Sequence, residues 1–169
     1  MNKLMLISNI GFKVSWKLIY VGLYGYEEIP TVITRNDVIE YLDSLLISEN
    51  DQTDDIITLI YEEDLERFDK LLKKFALNDF SNIVLQKRKW RAFLLKELLN
   101  SISHDCLQGL LELMEFWISM GYSDSCPQYI PNNASETKNY FTQEVYESML
   151  NKNHAWLDKE ILDIINLEN

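Results

Sequence analysis

The chain has 169 residues, of which 47% are hydrophobic and 25% charged. This length and composition are typical of a globular protein, so we expect a single helical domain over residues 1–169 and no intrinsic disorder. The formal net charge of −11 argues against general binding to nucleic acid. Two cysteines are too few for a disulfide framework, and no apolar run has the length of a signal sequence or a membrane span. We therefore expect a cytoplasmic protein that does not bind membranes.

The first half of the chain contains several residues suited to cap helices. Ser15 precedes the apolar run WKLIYVGLY, which we predict to be helical or buried. Thr34 and Asp37 form a carboxylate variant of the capping box ahead of the apolar stripe in VIEYLDSLL. Thr53 or Asp54 can cap a short helix that contains the apolar run IITLI.

Apolar spacing of three and four residues predicts the next helices. One helix has an apolar face made of Leu65, Phe68, Leu72 and Phe75. The strongest pattern lies between Ile83 and Ile102, where Trp90, Leu94 and Leu98 recur every four residues. We expect these three side chains to lie in the core. The basic side chains expected in solvent on the same helix are Lys87, Arg88 and Arg91.

Three signals organise the last third of the chain. Asp105 can cap a helix that ends at Gly121, and residues 121–136, with two prolines, are predicted to form a loop. A final helix extends from about Thr142 to Ile165. Together the patterns predict an all-α fold, a single-domain bundle of six or seven helices, with short extended pieces only near the N-terminus.

No group of residues in the sequence indicates catalysis or metal binding. His104, Asp105 and Cys106 are adjacent, but residues two apart at the start of a helix point in different directions, and Asp105 is better explained as an N-cap. No Cys-x-x-Cys or His-x-x-x-His pair indicates a zinc site, and no glycine-rich phosphate loop occurs. We therefore expect no enzyme activity, no metal and no cofactor.

Charge is unevenly distributed along the chain. Residues 27–69 contain fourteen acidic side chains and two arginines, a net of −12, whereas residues 70–96 contain eight basic side chains and one aspartate, a net of +7. The two segments can pair as a surface lattice of ions, or the acidic segment can bind a basic protein. Residues 87–91, KRKWR, have the composition of a nucleic-acid site, but Trp90 falls on the apolar stripe, which favours a core helix.

The acidic segment supplies the candidate residues for binding a protein partner. Exposed carboxylates can steer a basic protein into contact, and the candidates are Glu40, Asp43, Asp51, Asp54 and Asp55. Tyr41 or Tyr61 is the candidate aromatic anchor. If this segment is only a solvated surface, the loop from Gly121 to Glu136 is the next candidate.

Five stretches resemble, in order and spacing, a family of small bacterial proteins known only as a domain of unknown function. The stretches are VSWK followed by Gly22-Leu23, VIEYLDSLL at 38–46, KRKWRAFLLKELL at 87–99, LELMEFW at 111–117 and YIP at 129–131. The resemblance implies a mainly helical bacterial protein without an established activity, and several such families resemble immunity proteins of toxin systems.

The sequence and this resemblance lead to one functional hypothesis and two alternatives. We expect a cytosolic immunity or inhibitor protein that binds a toxin, such as a basic nuclease, and neutralises it by covering its surface. The first alternative is a helical scaffold or regulatory adaptor without catalytic activity. The second is an enzyme whose class the sequence does not reveal; a pocket with converging polar groups would favour it.

Overall fold

The computed structural model describes residues 2–48, 54–121, 126–127, 129, 131 and 139–169. Eight α-helices have their bounds within these residues: α1 (Lys3–Ile10), α2 (Trp16–Tyr24), α3 (Arg35–Ser48), α4 (Asp54–Tyr61), α5 (Leu65–Asn78), α6 (Ile83–Ser101), α7 (Cys106–Ser119) and α8 (Gln143–Glu168). Within the same ranges the only β-type pairing is an isolated antiparallel bridge between Tyr26 and Ile29. The all-α prediction is therefore confirmed.

Helix α1 has no counterpart among the predicted elements. Its N-cap is Asn2, whose side-chain oxygen accepts the N–H groups of Leu4 at 2.9 Å and Met5 at 3.4 Å. The helix ends at Gly11, which adopts the left-handed conformation (φ 101°) that glycine reaches without strain. The N-terminal region, where we expected short extended pieces, therefore begins with a helix.

The predicted caps of α2, α3 and α7 are confirmed. The Ser15 hydroxyl accepts the N–H of Leu18 at 3.2 Å. The N–H of Thr34 donates to Asp37 Oδ2 at 2.7 Å, and the N–H of Asp37 donates to Thr34 Oγ1 at 3.2 Å, which is the reciprocal pattern of a capping box. Asp105 accepts an N–H from the first turn of α7 at 2.9 Å.

Helix α4 begins at an aspartate, and helix α5 begins directly after one. Helix α4 begins at Asp54, and Thr53, the other candidate cap, lies outside the described residues. The N-cap of α5 is Asp64, which accepts the N–H of Arg67 at 2.9 Å. Leu65, the first residue of α5, is exposed rather than on the buried face, so its predicted place on that face is wrong. The other predicted members of that face, Phe68, Leu72 and Phe75, are buried.

The described residues form two compact units, Met1–Trp90 with Glu168–Asn169, and Arg91–Leu167. The single-domain prediction stays a prediction. In the first unit, α2 packs against α5, and α3 packs against α1 and α4. Trp90 is fully buried there, and its indole N–H donates to the carbonyl oxygen of Leu18 at 2.8 Å. The predicted core position of Trp90 is confirmed.

A second buried tryptophan, Trp117, lies in the core of the unit Arg91–Leu167. The indole N–H of Trp117 donates to Asn153 Oδ1 at 2.8 Å, and the Asn153 amide in turn donates to the carbonyl oxygen of Met149 at 2.8 Å. The ring of Trp156 meets that of Trp117 edge-on, with centroids 4.9 Å apart. Both polar atoms of the buried Asn153 side chain are therefore satisfied, which removes the cost of burying an amide.

Helix α6 buries two different faces instead of the single predicted stripe. The buried residues of one face are Gln86, Lys89, Trp90 and Phe93, and those of the other face are Ala92, Leu95 and Leu99, continued just beyond the helix by Ile102. Leu94 and Leu98 lie between these two faces and are only half-buried. The prediction that they are core positions is therefore wrong, because a spacing of four drifts about 40° per step around a helix of 3.6 residues per turn.

Candidate functional site

Three of the candidate acidic residues lie exposed on α3 and α4, which pack against each other. They are Glu40 and Asp43 on α3 and Asp54 at the start of α4. The Glu40 carboxylate accepts a hydrogen bond from the Asn2 amide at 3.4 Å. Asp51 lies outside the described residues, and so does the side chain of Asp55.

The two candidate tyrosines have opposite environments. Tyr61, in the last position of α4, is 74% exposed and can present its ring to a partner. Tyr41 is only 9% exposed, because it falls on the α3 face that also contains the buried Val38 and Leu42. Tyr41 is therefore a core residue rather than a surface anchor, which corrects the expectation from the sequence.

A groove of about 660 Å³ opens beside these helices, and Tyr41 lines it. We call it the Trp16 groove. Its main apolar walls are Trp16 and Ile19 of α2, Tyr41 and Leu42 of α3, Ile56 of α4 and Phe75 of α5. The rings of Trp16 and Phe75 pack with centroids 4.8 Å apart. The volume lies within the roughly 300–1,000 Å³ range of sites that bind small molecules or anchoring side chains.

Polar residues at one end of the Trp16 groove hold α2 to the loop between α5 and α6. Asp79 accepts the N–H of Lys17 and the N–H of Ser81, each at 2.8 Å, and Lys17 Nζ donates to the Ser81 carbonyl oxygen at 2.8 Å. Burial alone would raise the pKa of Asp79, but the hydrogen bonds from Lys17, Ser81 and Ser15 outweigh it and lower the pKa below its usual value. Asp79 is thus an ionised second cap of α2, and its engaged oxygens favour a structural role over proton transfer.

The basic residues around Trp90 do not form an exposed patch. Lys87 forms ion pairs with Glu27 and, at 2.8 Å, with Glu28. Burial would lower the pKa of Lys87, but hydrogen bonds to these two glutamates raise it above its usual value. The prediction that Lys87, Arg88 and Arg91 are exposed is wrong, since all three are half-buried. Lys87 therefore pairs with the acidic segment, which is one of the two alternatives that the charge pattern left open.

Lys89 is buried, which was not predicted from the sequence. Its side chain is 1% exposed, pairs with Glu168, and donates to the Lys13 carbonyl oxygen at 2.7 Å and to Gln86 Oε1 at 3.0 Å. Burial lowers the pKa of Lys89, and Glu168 opposes that change. The only local signal is positional, since Lys89 lies three residues after Gln86 and four before Phe93, on the buried face of α6.

The residues considered for catalysis or metal binding do not form a site in the part of the chain that the structure describes. Asp105 caps α7, Cys106 is a half-buried free thiol, and His104 is exposed. Over the described ranges, no three His, Cys, Asp or Glu side chains are grouped so that they could hold a metal ion. A second cavity of about 660 Å³ lies within the unit Arg91–Leu167, beside Tyr129 and Tyr140. Tyr129 belongs to the loop proposed as the next candidate surface.

None of the described helices combines the length and apolarity needed to cross a membrane. Comparison with known proteins gives one match. The model of the family described as an uncharacterized protein conserved in bacteria (DUF2247) matches residues 5–161. No curated protein and no solved structure matches the chain.

Proposed function

The chain belongs to this bacterial family, and from that premise we propose that it is a protein-binding inhibitor of the immunity type. In this proposal it has no catalytic activity, works in the cytoplasm and neutralises a basic toxin, such as a nuclease, by covering its surface. Toxins that cleave nucleic acid need a cationic groove for phosphates, and an acidic protein can occupy such a groove.

The observation that carries the proposal is the exposed acidic surface of α3 and α4. Glu40, Asp43 and Asp54 are exposed in a segment, residues 27–69, with a net charge of −12. The basic residue Lys87 forms ion pairs with Glu27 and Glu28, which lie outside α3 and α4. The negative field of this segment, to which the exposed acids of α3 and α4 contribute, increases the rate of encounter with a basic protein.

Tyr61 adds an anchor to this acidic surface. Its ring is 74% exposed at the end of α4, the helix that Asp54 begins. Exposed tyrosines that become buried in an interface often supply a large share of its binding energy, whereas charges at the rim mainly set the association rate. We therefore expect Tyr61→Ala to increase the dissociation rate and the acidic substitutions to decrease the association rate.

The test is co-purification with the product of the adjacent gene, followed by measurement of the binding kinetics. Asp43→Lys combined with Asp54→Lys should slow association about ten-fold. Asp158→Lys with Asp163→Lys, two exposed acids of α8, changes the net charge equally and serves as the control. Equal rates for both double variants would place the binding surface elsewhere. A partner that binds but loses no activity would favour the scaffold or adaptor alternative.

A further inference from the structure

The loop between α5 and α6 holds an aromatic ring entirely in solvent. Phe80 is 102% exposed, and its neighbours along the chain, Leu77 and Val84, are also exposed. Burying such a ring in an interface is favourable, because its apolar surface is then removed from water. The acidic surface of α3 and α4 does not account for it.

The backbone on both sides of Phe80 is fixed by hydrogen bonds. The N–H of Asp79 donates to the Phe75 carbonyl oxygen at 3.0 Å, and the Asp79 carboxylate accepts the N–H groups of Lys17 and Ser81. The Ser81 carbonyl oxygen is held by Lys17 Nζ. The position of Phe80 is therefore set by its neighbours, so burying its ring in an interface costs little additional chain entropy.

A recess lies directly beside this projecting ring. Phe80 forms part of the rim of the Trp16 groove, whose main walls are apolar and whose volume of about 660 Å³ leaves room for a phenyl ring. A two-fold interface needs a surface patch that is complementary to itself. A projecting ring beside a recess meets this need, because the ring of each copy can enter the recess of the other.

We propose that the protein forms a two-fold homodimer in which Phe80 of each copy enters the Trp16 groove of the other. The charges of the facing helices are complementary in this arrangement. Lys73 and Lys74 are exposed on α5, the helix that ends two residues before Phe80, whereas exposed Asp43 and Asp54 belong to α3 and α4, which form walls of the groove. Bringing Phe80 to the groove of a second copy brings these lysines toward its acidic helices.

The homodimer is independent of the proposed inhibitor function, but the two share α3 and α4. A basic protein bound to the acidic surface would compete with a second copy for the same helices. Dimer formation is measured on the purified protein alone, so a failure to find a toxin partner leaves the dimer result unchanged, and a monomeric protein leaves the inhibitor proposal intact.

The test is sedimentation velocity over roughly two decades of protein concentration centred near 10 µM, the range in which a modest interface associates. We expect a monomer–dimer equilibrium, and Phe80→Ala should raise its dissociation constant at least about ten-fold. Leu162→Ala, which truncates an exposed residue of α8, is the matched control and should have no effect. Because the Phe80 ring is fully exposed, its removal leaves the fold of each copy unchanged. A wild-type protein that stays monomeric, or a dimer that survives Phe80→Ala, would overturn the proposal.

Tryptophan fluorescence distinguishes seating in the groove from another mode of association. Trp16 lines the groove, so its emission should change with protein concentration in the wild type and not in Phe80→Ala. Trp16→Phe should abolish the concentration-dependent change while the dimer is still detected by sedimentation. If dimer formation leaves the emission unaltered, Phe80 does not occupy this groove.

Discussion

Position 22 has no room for a side chain, because a β-carbon there would lie 2.2 Å from the Trp90 indole. Alanine in place of a helical glycine normally gains up to about 1 kcal/mol of helix propensity. Here overpacking of about 1–3 kcal/mol outweighs the gain, since the ring is fully buried and held by its hydrogen bond to Leu18. We therefore expect Gly22→Ala to lower the free energy of unfolding.

Removal of the indole itself should have a larger effect. Trp90→Ala leaves a cavity in the unit Met1–Trp90 and should lower the free energy of unfolding by about 3–5 kcal/mol. Urea denaturation measures both variants, with Leu162→Ala as a control at an exposed position. If Gly22→Ala is as stable as the wild type, Trp90 does not pack closely against α2.

The buried ion pair between Lys89 and Glu168 should also contribute to the stability of the protein. Loss of one partner from such a pair leaves a charge buried without compensation, which costs about 3–5 kcal/mol, whereas replacement of both can be nearly neutral. We expect Glu168→Gln and Lys89→Met each to destabilise the protein, and the double variant to lose less than the sum of the two. A double-mutant cycle in urea measures the coupling, and strictly additive losses would contradict it.

At the scale of elements, the N-terminus of α2 is capped twice, by Ser15 and by Asp79 from the distant loop. The pKa of Asp79 is lower in the folded protein than its usual value of 3.8, so the unfolded chain binds more protons between these two values. The stabilisation from Asp79 is therefore complete above pH 3.8 and is lost as the pH falls through the lower, folded pKa.

Substitution of Asp79 tests this link between the two elements. Asp79→Asn should be less stable than the wild type at neutral pH, and the difference should shrink on acidification below pH 3.8. Urea midpoints across this acidic range give the comparison, with Asp158→Asn on the exposed face of α8 as control. A constant difference at every pH would show that the Asp79 charge does not contribute to the cap.

At the scale of the whole molecule, the net charge of −11 is concentrated rather than spread evenly, with residues 27–69 contributing −12 and residues 70–96 contributing +7. Ion pairs compensate part of this polarity within the chain, as between Lys87 and Glu28 at 2.8 Å. The exposed acids of α3 and α4 remain available to attract a basic protein, so the polarity affects association more than fold stability.

The association rate with a basic partner should therefore depend on salt. Raising the ionic strength from about 0.1 M to about 1 M shortens the screening length from about 10 Å to about 3 Å. We expect the association rate constant to fall by about ten-fold or more over this range, with a smaller change in dissociation, as measured by stopped-flow or surface-based kinetics. Rates that are equal at both ionic strengths would show that the acidic surface does not guide binding.

Local patterns in the sequence were sufficient to predict the all-α class, the caps at Ser15, Thr34 and Asp105, and the burial of Trp90. These predictions depend on residues within one or two helical turns of each other, where capping hydrogen bonds and apolar spacing operate. Part of the candidate site was also predicted from the sequence, because Glu40, Asp43 and Asp54 are exposed as expected.

Only the tertiary structure decided the features that depend on distant partners. Asp79 caps a helix 62 positions away in sequence, and Lys89 donates to a carbonyl oxygen 76 positions away. Lys89 is buried because Glu168 compensates its charge, whereas Phe80 is exposed because the residues beside it are held by α2. Whether a charge or a ring is buried depends on what packs against it, and spacing along one helix does not contain that information.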